Sequence, residues 1–328
     1  MKGVRLFVRP AEQLEALLAE HRGRVLLAVR YGAPASGTRE ADHPYMDVPN
    51  RVLGDAPWAE IWVTTERAAC WRRGDLAWGE NGGALFGCKR RRIGEDIEGC
   101  ALETYREALA LLEERGYPWP LRVWNYLPGI NEDQHGIDRY KLFNAGRARA
   151  FEERYGEAAE RHFPAATAVG TTGDSLIVCF ASSRAPGAQI ENPRQISAYR
   201  YPPCYGPKSP SFARGTVAPE DWGRAFFLSG TASVVGHRTM HLGDPLRQLE
   251  ETLGNIGALL DIVATRMGRR HIDVLRFDLL KTYVRHPEQF PAIRSALERH
   301  LDPATPAIYL MADICRSDLL LEIEGVVL

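Results

Sequence analysis

Two glutamates near the end of the chain have the setting that acid chemistry requires. They are Glu322 and Glu324, in the run Leu319-Leu320-Leu321-Glu322-Ile323-Glu324-Gly325-Val326-Val327. Strand alternation puts Leu320, Glu322 and Glu324 on one face, with Leu321 and Ile323 on the other. Apolar surroundings disfavour a carboxylate anion and raise its pKa, and a second acid on the same face adds repulsion in the same direction. A carboxyl that keeps its proton near neutral pH is a general acid, worth on the order of 100- to 10,000-fold in rate. The plainer alternative is a pair of solvated glutamates at the rim of a sheet.

Other residues could bind an anion. Arg147 in NAGRARAF, Arg214 in SFARG and Arg316 in DICR offer planar donors that match a carboxylate. Each is equally at home in a surface salt bridge. Tyr201 and Tyr205 flank Pro-rich turns and either donate phenol hydrogen bonds or simply pack. Ser229, Gly230 and Thr231 read as a tight turn whose backbone N–H groups can face a ligand. His237 and His241 have the i, i+4 spacing of some metal sites, but Val234-Val235-Gly236 beside them reads as strand or loop, and no third ligand is near. No metal is expected, and His237 is taken as a hydrogen-bonding partner. Cys315 has no adjacent base, so an inert buried thiol is favoured over a nucleophile. No G-x-G-x-x-G or P-loop occurs, and no cofactor is expected.

These residues need a folded frame, and the composition allows one. The 328 residues are 45% hydrophobic and 25% charged, enough chain for two domains. Lys+Arg total 41 against Asp+Glu 42, a net charge of -1, which disfavours a general nucleic-acid binder. The one dense basic run, Lys89 to Arg92, is followed by Glu95, Asp96 and Glu98 and reads as a solvated corner. The 6 cysteines include no C-x-x-C pair and read as reduced, buried thiols. With no leader-like start and no long apolar run, a cytoplasmic protein without membrane contact is expected.

Along the chain, strands are expected at Leu6–Val8, Val25–Tyr31, Ala59–Val63, Ala84–Phe86, Leu121–Leu127, Ser175–Ala181, Ala225–Leu228, within Ile272–Thr282, at Ala307–Leu310 and at Leu319–Val327. Helices are expected at Ala11–His21, Leu102–Arg115 with Gly116 as its stop, Tyr140–Tyr155, Asp244–Met267 and Pro287–His300. Loops are expected at Gly32–Gly37 and, at greater length, over 182–223, which is rich in Pro, Gly, Ser and Tyr. This is an α+β pattern with helices on one face of a mixed sheet. The order helix, strand, helix, FPAATAVG, strand in the first half returns as helix, strand, helix, PATPAIYL, strand in the second, an internal repeat. A division follows into 1–195, a domain with an N-terminal extension, and 196–328, the catalytic domain.

From Tyr205 onward the chain resembles the RidA-like (YjgF-like, chorismate-mutase-like) fold. The resemblance rests on Gly206-Pro207, Ser211-Phe212, the Ser229-Gly230 turn, Gln248, Thr252, Asn255, Ile256 and Glu322-Ile323-Glu324. The strings YPPCYGPKSPSFARG, LSGTASVVGHRTMHLGD, YLMADICRSDLLLEIEG, NYLPGINE and RYKLFNAGRARAF are similar to the chorismatases, over nearly all of the chain beyond its first strands. That resemblance implies cleavage of the enolpyruvyl ether of chorismate to pyruvate plus 3- or 4-hydroxybenzoate or a dihydroxycyclohexadiene carboxylate. It implies Glu322 as proton donor, Glu324 as its understudy in the pocket, and Met311 and Cys315 as pocket wall. The RidA-like carboxylate-binding arginine is absent at Ala166 and at Thr305-Pro306-Ala307, so other arginines must hold the substrate. The pocket is expected mainly in the second domain, under the loop Tyr201–Gly215. RidA-like proteins bind ligands between sheets of associated copies, so a homo-oligomer is open. Imine deamination, or non-catalytic binding of aromatic acids, remain the alternatives.

Overall fold

Val25–Tyr31 is buried at every position but Arg30, as a strand covered on both faces must be. In the computed structural model, which describes residues 3–32, 42–54, 57–223, 225–267 and 276–328, it is a central strand of the first of three sheets. That sheet contains β1 (Val4–Pro10), β2 (Val25–Tyr31), β3 (Tyr45–Val48) and β4 (Trp58–Thr64) in the order β1-β4-β2-β3, with helix α1 (Leu14–Glu20) between β1 and β2.

The second sheet has β5 (Ala69–Arg73), β6 (Leu76–Glu80), β7 (Ala84–Arg92), β8 (Trp119–Pro128) and, after the small ribbon β9 (Asp133–Gln134) with β10 (Ile137–Asp138), β11 (Ala165–Thr171) and β12 (Ser175–Ser183). Its order is β11-β8-β12-β7-β6-β5. Helix α2 (Ile97–Glu114) precedes β8, and α3 (Arg139–Tyr155) follows β10. The third sheet repeats this plan with β13 (Ala188–Ile190), β14 (Gly215–Val217), β15 (Phe226–Thr231), the ribbon β16 (Val234–Val235) with β17 (Arg238–Thr239), α4 (Pro245–Arg266), β18 (Leu279–Val284), α5 (Phe290–Glu298), β19 (Ala307–Met311) and β20 (Leu321–Val327). Its order, β13-β14-β15-β20-β18-β19, is the same arrangement read from the opposite edge. Aspartates start three of the helices: Asp96, Asp138 and Asp244 accept the N–H groups of Gly99, Lys141 and Arg247. Gly116, at φ 76°, ends α2 as expected.

The expected α+β class and repeat are present, and the repeat goes further. In every sheet a strand (β1, β7, β15) leads through a helix to a second strand (β2, β8, β18). That strand has a parallel neighbour (β3, β11, β19) and an antiparallel one (β4, β12, β20), which returns to pair with the first. The region expected to be an N-terminal extension is therefore a third, shorter copy. β13 already belongs to the last sheet, which thus begins before the division expected at 195/196.

Helices cover the outer face of each sheet, and the inner faces share one core, where Trp62, Phe86, Trp124 and Phe227 meet. Strand register puts one tyrosine per copy at the same place: Tyr31 opposite Val48, Tyr126 opposite Val169, Tyr283 opposite Leu310. β3, β5, β6, β9, β10, β11, β13, β14 and β17 were not expected. β5 is a short, mostly exposed edge, and β13 and β14 are three-residue strands inside the Pro- and Gly-rich stretch. The loop from Ala33 to Gly37 and the segment Ile272–Val274 lie outside the described residues. No helix among the described residues is long and apolar enough to cross a membrane. In the basic run, Lys89 pairs with Asp75 and Glu107, Arg91 with Glu107, and Arg92 with Asp174.

Candidate active site

A cavity of about 440 Å³ opens between the second and third sheets, within the size range of small-molecule sites. The two sheets are joined at its floor. Ala165 N–H donates to Thr216 Oγ1 and Ala166 N–H to Ser229 Oγ, each at 2.9 Å. Glu322 projects into the cavity from β20. The predicted alternation holds: Leu321, Ile323 and Val327 pack toward the helices, while Glu322, Glu324 and Val326 face inward.

Gly230 makes the space for the acid. Pairing of β15 with β20 steps from Leu228↔Gly325 to Thr231↔Ile323, a one-residue bulge at Ser229-Gly230. A Cβ on Gly230 would lie 2.0 Å from Glu322 Oε1. Glu322 is 4% exposed. Burial, and next the charge of Glu324, push its carboxyl up to about 8, against the smaller pull of Arg122 and Arg214. The acid therefore carries its proton at neutral pH.

Cations and aromatic rings alternate around the mouth. Arg214 lies over Phe212 and Tyr201, and its Nη2 donates to the Tyr201 hydroxyl at 2.7 Å. Arg316 lies over Tyr201 and, at 4.2 Å, over Tyr205. Arg147 comes from α3 in the second unit, buried at 2% exposure. The Nε groups of Arg147 and Arg214 are buried without a partner, which suits them to an incoming carboxylate. Cys315 is also on the wall, its thiol pushed up to about 12 mainly by burial, unlike a reactive thiolate.

Several expected residues act differently. Ser229 and Thr231 belong to a strand rather than a turn, and their hydroxyls donate to Ala213 O and Ser229 O, so they hold the wall without facing the cavity. His237 stands behind the wall: Tyr205 Oη donates to its carbonyl at 2.7 Å, and Arg316 Nη1 does so at 2.8 Å. His241 faces Glu251 instead. Met311 is off the cavity altogether, 39% exposed, its N–H bonded to Arg51 O at the edge facing the N-terminal copy. Glu324 does not reach the cavity either. Burial alone would raise its carboxyl, but Lys281 at 2.7 Å and Arg122 at 2.5 Å outweigh that and hold it below its ordinary value. It is an anion, not an acid.

The site also draws more on the second unit than expected. Tyr140 and Arg147 of α3 and Ala166 to Ala168 of β11 line it. The seven-residue spacing of Tyr140 and Arg147, two helical turns, is the signal that could have found Tyr140. Burial, and then Cys315, raise its phenol pKa. Ala166 stands where the RidA-like arginine was missing, so the cations reach the cavity from other elements. Cys204, expected to be buried, is exposed at the mouth.

Comparison with known proteins gives consistent relatives. Residues 60–182 match the family described as chorismatase FkbO/Hyg5-like, N-terminal. A 3-hydroxybenzoate synthase of Streptomyces hygroscopicus is 37% identical over 318 residues, 93% of this chain and 92% of the relative. A chorismatase of Streptomyces rapamycinicus is 36% identical over 282 residues, 83% of each chain. A crystal structure of a chorismatase superposes with a TM-score of 0.90 at 30% identity, covering 99% of this chain and 98% of its own.

Proposed function

Since the chain belongs to the chorismatase family, we propose that it cleaves the enolpyruvyl ether of chorismate with Glu322 as general acid. The observation that carries this reading is a buried carboxyl, pushed up to about 8, facing a cavity ringed by guanidinium groups. Chorismate brings two carboxylates and an electron-rich vinyl ether, so cations hold it while a neutral acid reacts with it.

Glu322 gives its proton to the vinyl methylene, which becomes the methyl group of pyruvate. The ether carbon is left as an oxocarbenium ion, stabilised by its oxygen. Collapse with water yields pyruvate and a cyclohexadiene diol. Cleavage of the ring C3–O bond instead releases pyruvate, which keeps the ether oxygen. Direct loss of the C4 proton then gives 4-hydroxybenzoate, whereas transfer of the neighbouring C4 hydroxyl oxygen to C3 followed by loss of the C3 proton gives 3-hydroxybenzoate. In each case no net water is consumed, and the lost ring proton balances the one Glu322 gave. The 37% identity to a 3-hydroxybenzoate synthase over nearly the whole chain favours 3-hydroxybenzoate. Arg147, Arg214 and Arg316 are assigned to the carboxylates, Tyr201 and Tyr205 to holding the arginines, and Cys315 to the wall beside the ring.

The test is incubation with chorismate, with pyruvate assayed enzymatically and the ring compound identified by mass and NMR. Pyruvate and 3-hydroxybenzoate in equal amounts are expected; untouched chorismate overturns the reading. Glu322→Gln should lose at least about 100-fold in turnover while still binding the substrate. A pure binder of aromatic acids would show no turnover in either form.

A further inference from the structure

Behind Glu322, on the side away from the cavity, four charged side chains from all three sheets meet in the shared core. Lys281 of β18 contacts Glu324 at 2.7 Å and Glu60 of β4 at 3.0 Å. Arg122 of β8 contacts Glu324 at 2.5 Å and donates to Thr167 Oγ1 at 2.5 Å. Glu60 also accepts from Tyr31 Oη and Trp62 Nε1, both at 2.7 Å. None of the four is more than 2% exposed. Two cations face two anions, and the cluster is neutral only because the N-terminal copy contributes Glu60.

Register shows how unevenly the copies contribute. The position of Glu324 is Glu60 in the first sheet and Cys179 in the second, while the position of Glu322 is Trp58 and Ile177. The N-terminal copy thus has the supporting glutamate without the cavity acid. We propose that Glu60 is a positioning residue for the reaction: by neutralising Lys281 it leaves the charge of Glu324 free to keep the proton on Glu322. The inference rests on Glu322 being the proton donor. Without Glu60 the cluster carries one excess cation in a low-dielectric interior, and an excess cation favours the Glu322 anion. The other groups facing Glu322 are Arg214 ahead of β14, Cys315 and Arg316 after β19, Tyr283 of β18, and Tyr140 and Arg147 of α3. None of them touches Glu60.

The experiment is the pH profile of kcat/KM for pyruvate release by the full chain. A proton donor produces a descending limb at basic pH. In Glu60→Gln and Glu324→Gln that limb should move to lower pH, by on the order of one unit, and Glu60→Asp should restore it. A cluster that only glues the sheets together would lower activity equally at all pH and leave the limb in place. An unmoved limb in the folded Gln variants overturns the proposal. If those variants do not fold, infrared spectra of the unaltered protein decide. One buried protonated carboxyl at neutral pH, absent in Glu322→Gln, supports it; a second overturns it, because the cluster would then lack an anion. A fully active Glu322→Gln sinks the donor assignment itself, whereas an unmoved limb with an inactive Glu322→Gln sinks only the role of Glu60.

Discussion

A buried carboxyl whose anion receives no hydrogen bond from a described residue is comfortable only while it holds its proton, and Glu322 is in that position. Its folded value of about 8 lies above its ordinary 4.5, so folding favours the protonated form. Below about 4.5 both folded and unfolded chains hold the proton, and the contribution to stability is complete. As pH rises the unfolded chain ionises first, and the contribution is gone once the folded acid ionises near 8. Glu322→Gln, with no proton to lose, should match the wild type in acid and become the more stable protein toward pH 8 and above, as read by urea melts across pH. Equal pH dependence in the two would contradict the buried acid. At this scale the sequence was informative where residue type and immediate neighbours decide. Glu322 stood in a greasy strand, and Arg147 and Arg214 stood in unusual strings. Lys281, Arg122 and Glu60 were invisible because their partners lie on other strands, and for Arg122–Glu324 and Lys281–Glu60 on other sheets, far away in sequence.

Among the elements, β15 shows how a strand serves two purposes. Before the bulge, Phe226 and Leu228 face the helices and Phe227 the shared core; after it, Ala232 faces the core. The extra residue reverses the parity, so one strand can fill the hydrophobic layer and then line the cavity. Gly230→Ala forces a methyl into the Glu322 carboxyl and should cost about 100-fold in kcat by displacing the acid. A modest change in melting temperature should accompany it, and unchanged turnover would show that the carboxyl does not need its observed place. Continuous apolar runs were legible as strands, from Val25–Tyr31 to Leu121–Leu127. The bulge was not, because Ser229-Gly230-Thr231 has the composition of a turn, and only its pairing with β20 makes it a strand.

Over the whole molecule, three copies of one topology share a core whose centre is charged. Removing one member of such a cluster strands the others without partners. Lys281→Met should therefore destabilise the protein by about 3–5 kcal/mol in urea unfolding, although the residue is outside the cavity; a change within error would mean that the cluster is solvated. Two copies could be traced in the sequence through their matching helix–strand order. The first could not, because it lacks the outer strand pair and its helix is only seven residues long. The cavity also has a mechanical consequence, since its acid belongs to one copy and Arg147 to another. A tight, unreactive mimic of the substrate would staple the two together across the seam at Ala165 and Ala166. Its binding energy would then be shared by both, so that they melt as one unit at a higher temperature.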